Sequence, residues 1–502
     1  MLWHLAKPSQ NWEHLKETVL FTYLLSSSIL VFGTVMISMF IGISCAWFVA
    51  CCEFPGKKWF EWALILPLAI PTYISAYAYF DILELFSPFL IWIRSNFNLE
   101  LMQFVDNFLV YIMTILVMSS VLYPYIYLLV RASFIRQGSQ LIDAARTLGH
   151  NSISIFWRII LPMGRPAIFA GTSLVIMETL NDYGAVKHFG IPTFTSGIFR
   201  TWLGMGDMPG AIRLAAFLML FILIFLFSEK KIRSRARFNE NLGSNKPFQK
   251  ILLHNYKSYL AIFCCLIPVA LGFIIPVSRL SYWAWLSRES FLTINAVQLI
   301  TNTLLLALLT SLITTLLAIL LVFSTRFYNS KIVNFTNRFA ILGYSVPGAV
   351  IAMGILLLNG QINYLTDWIM TGSLFLLVFA YIVRFMAVAW QPIDSGMERN
   401  CKELNNASRT LGSSTTRSLF FINLPLLRNT IITAGLLVFI DTIKELPLTL
   451  ILRPFNFETL STTTFDLSSQ AQIQQSSIPA LSIILLVAIP LVFLNYRIGK
   501  AQ

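Results

Sequence analysis

The segment Asp143 to Pro162, DAARTLGHNSISIFWRIILP, decides how this chain is read, because it returns from Asn406 to Pro425 as NASRTLGSSTTRSLFFINLP. Gly412 lies 263 positions after Gly149, Pro425 lies 263 after Pro162, and no gap separates the copies. From Asp143 to Thr179 they share thirteen identities in thirty-seven positions, where unrelated segments would share about two or three. Each copy is a polar, Ala/Arg/Ser-rich stretch set between two strongly apolar ones. A whole half repeated in this way is an arrangement expected of membrane transport folds.

The residue types give the repeat a physical meaning. Paired alanines present a flat helical face that a partner groove can approach closely. Gly149 and Gly412 let a helix stop and the chain turn, since glycine accepts positive φ at little cost. The segment is then expected to re-enter helix, with Leu161-Pro162 and Leu424-Pro425 marking the next break.

Composition bounds the class. Of 502 residues, 57% are hydrophobic and 12% charged, which indicates a membrane protein. The net charge of +13 does not point to nucleic acid, because the basic residues gather in a few short loops between apolar runs. The six cysteines contain no CxxC and four form adjacent pairs, as small apolar fillers would. The first apolar run is too long for a cleaved leader and reads as a span.

Apolar runs of spanning length occur at about 19–50, 62–84, 104–130, 166–186 and 211–228, then at about 258–278, 297–325, 333–358, 372–392, 430–452 and 478–496. An all-α polytopic membrane protein of about eleven transmembrane helices is expected, since open strands cannot be satisfied in lipid. Residues 1–228 form the first half, 229–257 a basic linker and 258–502 the second half. Arg131, Arg136, Arg146, Arg158 and Arg165 face Asp143 alone in the first loop, and the linker carries eight basic residues from Lys230 to Lys257. Both are expected on the cytoplasmic side, with the C-terminus, which leaves the N-terminus outside.

The helix after each repeated loop carries acids in register. Glu178 and Asp182 stand four apart, as do Asp441 and Glu445, and each second-half acid lies 263 positions beyond its counterpart. Counted from Pro166, Glu178 lies roughly 18 Å and Asp182 roughly 24 Å across an apolar core of about 30 Å. Ionisable groups at that depth usually face a bundle interior or a water-filled path. Four such acids make a candidate translocation path for a cation, against the alternative that the helix ends early or that Asp441 pairs with Lys444. His150, His188 and His254 have no partner at metal-ligand spacing, and no GxxxxGK[ST] is present, so neither a metal site nor ATP binding by a P-loop is expected.

The repeated segment resembles the EAA loop of ABC importer permeases: Glu-Ala-Ala, three residues, Gly, nine residues, Ile, one residue, Leu-Pro. Ala144, Ala145, Gly149, Ile159, Leu161 and Pro162 match in the first copy, and Ala407, Gly412, Ile422, Leu424 and Pro425 in the second. Asp143 and Asn406 stand where the family usually has Glu, and Ser408 stands for the second Ala. The stretches 62–81, 178–207 and 444–469 look like the iron(III) ABC transporter permeases, in which two permease halves are fused. That resemblance implies the type I ABC importer permease fold in a bacterial inner membrane, with no cofactor and no enzymatic activity of its own. It further implies two copies of a separate ATPase docking at Asp143, Ala144, Ala145, Gly149, Asn406, Ala407, Ser408 and Gly412, and a periplasmic iron-binding protein. The alternatives are the same machinery importing thiamine, polyamine, sulfate or phosphonate, and an ion-coupled secondary transporter.

Overall fold

The computed structural model describes residues 9, 11–136, 145, 147–149, 151–235, 251–289, 295–327, 330–366, 370–400, 407–408 and 410–500. Ten helices there are long and apolar enough to cross a membrane, and Lys57–Ala69 with Thr72–Leu83 makes an eleventh candidate bent by 90°. Strand is confined, among the described residues, to a parallel pairing of Cys52–Glu53 with Ile251–Leu252. The fold is all-helical and polytopic, as lipid requires.

Two compact units divide the chain, one spanning Lys7–Leu286 and the other continuing from Ser287. In the first, Leu20–Cys51, Leu99–Arg136 and Leu161–Asn181 pack together. Ile126 sits between two glycines: a Cβ at Gly42 would lie 2.9 Å from Ile126 Cβ, and one at Gly171 would lie 2.8 Å from Ile126 Cα. Small residues admit this approach where lipid supplies no hydrophobic drive between helices. In the second unit Ala296–Phe327, Leu374–Asn400 and Leu424–Lys444 repeat the arrangement around Val322, Tyr381, Phe385, Ala434 and Val438.

By contact, the first compact unit runs on to Leu286. Residues 229–235 continue the helix Met208–Arg235, and the span Tyr256–Leu286 packs on the first half. A Cβ at Gly272 would lie 2.3 Å from the Ser120 carbonyl oxygen, so the two helices touch backbone to backbone. The Tyr79 hydroxyl donates to the Leu271 carbonyl at 2.5 Å, and Arg279 Nη2 lies 2.6 Å from Asp81 Oδ2, its guanidinium 5.0 Å from the Trp283 ring.

Backbone geometry repeats at the same offset as the sequence. Short helices at Ser152–Ile155 and Thr415–Ser418 lead into π turns at Phe156–Ile160 and Leu419–Asn423, then into helices Leu161–Asn181 and Leu424–Lys444. The expected break at Leu-Pro is therefore a π turn within a continuous span. Pro162 and Pro425 fall in the first turn of the following helix, where a missing N–H is tolerated. Two spans are more broken than their apolar runs suggest. The run at 62–84 bends at Pro71, and the run at 333–358 divides at Pro347 into Lys331–Ile341, a 3-10 turn and Gly348–Thr366.

Candidate functional site: the duplicated loops and the rod ends

Each repeated loop is a turn presented to one side by the long helix that follows it, here termed the rod. Ala145 is buried, and so is Ser408, which stands in the equivalent place and shares a 3.1 Å hydrogen bond with Ser418. Ala407 is exposed, and Asp143, Ala144 and Asn406 lie outside the described residues. Gly149 and Gly412 take φ of +81° and +76°, and among the described residues a Cβ at either would meet nothing within 4 Å. Their role is conformational. Helix re-entry is capped alike, with Asn151 Oδ1 accepting from the Ser154 amide at 2.8 Å and Ser414 Oγ from the Arg417 amide at 3.3 Å. The leucine before each glycine points outward, Leu148 being 78% and Leu411 87% exposed. One exposed leucine is ordinary, but the same one twice at a polar apex marks a surface that a partner would cover.

At the far end of each rod the acids are not all on one helical face. The helices stop at Asn181 and Lys444, and Asp182 and Glu445 follow in extended conformation, at φ −67°, ψ 127° and φ −70°, ψ 127°. Asp182 is buried, its Oδ1 accepting from the Ala185 amide at 2.8 Å and its Oδ2 from the Thr72 hydroxyl. Glu445 is buried too, its oxygens accepting from the Leu448 and Thr449 amides and the Thr449 hydroxyl at 3.1 Å, while Arg384 Nη1 lies 3.8 Å away. Each acid accepts from amides in the first turn of the short helix after it, Gly184–His188 or Pro447–Leu452. Inside the rods, Glu178 is half-buried and Asp441 is half-buried with Lys444 Nζ at 3.7 Å. The outer acid of each pair is thus bound into helix ends, and Asp441 has its basic neighbour.

With this geometry in view, residues 38–238 and 314–500 match the family described as the binding-protein-dependent transport system inner membrane component. The chain belongs to that family. A Fe(3+)-transport system permease protein of Haemophilus influenzae is 27% identical over 479 residues, covering 94% of this chain and 89% of that one. A probable sulfate transport system permease of Chlorokybus atmophyticus is 28% identical over 35% of this chain and 59% of its own length. The molybdenum transport system permease of Escherichia coli K12 is 28% identical over 40% of this chain and 90% of its own length. A binding-protein-dependent inner membrane component is a transport subunit, and the family's model matches both halves of this chain.

Several residues of this permease escaped the sequence reading. Thr72, Gly348 and Arg384 adjoin the two acids, and a second repeat at offset 276 pairs Leu66 with Leu342 and Pro71 with Pro347. That duplicated proline, each time after a 3-10 turn, was the available signal. Outside the repeat, Thr193 with Ser196 and Thr459 with Thr462 form capping boxes that start the helices at Phe194 and Leu460.

Proposed function

We propose that this protein is the membrane-spanning subunit of an ATP-driven importer of ferric iron, fed by a periplasmic binding protein. The observation that carries the substrate is the likeness to the Fe(3+)-transport permease, which runs through both halves, whereas the sulfate and molybdenum relatives match less than half of this chain. ATP is hydrolysed on two copies of a separate ATPase, one seated on each repeated loop around Leu148–Gly149 and Leu411–Gly412. Duplication of an exposed leucine beside a left-handed glycine supports that seating. With the bent pair taken as one crossing, eleven spans among the described residues would set the termini on opposite sides, which together with the basic loops supports a cytoplasmic C-terminus and an outer N-terminus. Closure of the ATPases would move the rods and open the halves towards the binding protein.

The test is uptake of radiolabelled iron, sulfate, molybdate, thiamine and polyamines in a strain lacking this chain. Loss confined to iron is the expected result. Loss confined to another solute would reassign the substrate within the same machinery, and unchanged uptake of all five would end the transport reading.

A further inference from the structure

We propose that Asp182 and Glu445 are positioning residues, each carboxylate tying the outer end of a rod to the helix that starts after the broken proline turn. The inference rests on the transport reading and adds the connection through which loop movement reaches the break.

The rod is a 21-residue helix, about 31 Å long at 1.5 Å per residue, enough to cross the apolar core. Its inner end continues directly into the repeated loop through the π turn, a feature that tends to occur at functional sites. At its outer end the acid caps the next short helix and also meets the first residue after the proline break. In the first half that residue is Thr72, whose hydroxyl donates to Asp182. In the second half it is Gly348, where a Cβ would stand 2.6 Å from Glu445 Oε1 and 2.4 Å from Arg384 Nη1.

The two junctions are built to one plan with side-chain length traded between partners. A short acid faces threonine, and an acid longer by one methylene faces glycine. Where Thr72 donates a hydrogen bond, the second half sets the Arg384 guanidinium 3.8 Å from Glu445 as an ion pair, and Val121 stands at the gapless equivalent of Arg384. Opposite changes of side-chain length that keep the acid against the first residue after the proline indicate that this closeness is what the junction needs. Both oxygens of Glu445 and one of Asp182 are held by helix amides, and the other oxygen of Asp182 by the Thr72 hydroxyl, so their burial serves attachment of helix ends.

The decisive experiment uses the permease purified with its ATPase and reconstituted in vesicles, with ATP hydrolysis and iron transport measured together. Gly348→Ala should leave ATPase co-purification intact and lower transport per ATP about fivefold or more, the usual scale of coupling between sites. Glu445→Asp in the same chain should restore part of that loss, because the shorter acid removes one of the two atoms, Glu445 Oε1 and Arg384 Nη1, that the added methyl would meet. Thr72→Val, which keeps shape and removes the donor, gives an independent arm and should also lower transport per ATP. Wild-type coupling in both Gly348→Ala and Thr72→Val, or additive losses in the Gly348→Ala, Glu445→Asp pair, overturns the proposal. Failure of the unaltered complex to move iron with ATP would instead remove the functional reading beneath it.

Discussion

Single residues carry the loop geometry, and two of them allow a clean test. At Gly149 and Gly412 nothing surrounds the Cβ direction, so any cost of substitution is backbone strain from positive φ. Alanine should cost about 1–2 kcal/mol at each left-handed position, whereas asparagine, which tolerates that conformation, should cost less. We therefore expect the double alanine variant to bind ATPase more weakly in pull-down than the double asparagine variant. Equal binding by both would separate the turn from docking. Asp207 offers a pH-dependent counterpart. Its Oδ2 accepts from the Ser9 hydroxyl at 2.6 Å and the Asn11 amide at 3.3 Å, and its Oδ1 accepts from the Gly210 amide at 2.9 Å. Burial pushes this carboxyl up, but those hydrogen bonds outweigh it and hold the group below its ordinary value of 3.8. A depressed acid stabilises the folded state fully above its ordinary pKa and loses that contribution as pH falls through the folded one. The helix Trp12–Thr18, with Trp12 stacked 5.8 Å from Phe217, should thus exchange its amides faster relative to the Asp207-independent core only under acid conditions. In Asp207→Ala that difference should be present already at neutral pH.

At the scale of elements, the span Tyr256–Leu286 is the clearest departure from its place in the chain. Its contact at Gly272 is backbone to backbone, so Gly272→Leu should destabilise the first unit by 1–3 kcal/mol or about that, the usual overpacking range. Thermal unfolding in detergent measures it, and an unchanged midpoint would mean that the span does not pack there. Hydrophobic runs showed this helix but not where it lies, because an all-apolar helix of this kind carries little directional information about its neighbours. The same limit explains the broken spans. Apolar composition is continuous through Pro71 and Pro347, whereas the bend depends on backbone hydrogen bonds that composition does not record. The acids show the opposite balance. Their register at offset 263 was plain in the sequence, and so was the Asp441–Lys444 pairing. Their setting was not, because a helix that stops one residue before Asp182 turns a wet face into a cap. What shows it is the equal extended geometry at Asp182 and Glu445.

For the molecule as a whole, duplication explains most of what could be read. Loops, π turns, rods and capping acids all recur at one spacing, so a motif weak in either half becomes firm in both. The first unit also gains the span that follows the linker, and a cysteine pair replacing Asp81 and Arg279 should be joined by a short thiol cross-linker without loss of ATPase binding. Absence of that cross-link would place the span elsewhere. The central claim is that ATP hydrolysed at the two repeated loops drives ferric iron through this chain. Its most direct measurement is iron accumulation in vesicles holding the permease and ATPase, with loaded binding protein on the outer side and ATP on the loop side. The account predicts accumulation that needs both ATP and binding protein and is lost when Gly149 and Gly412 are both changed to valine. Accumulation driven by a proton gradient without ATP, or unaffected by the paired valines, would contradict it.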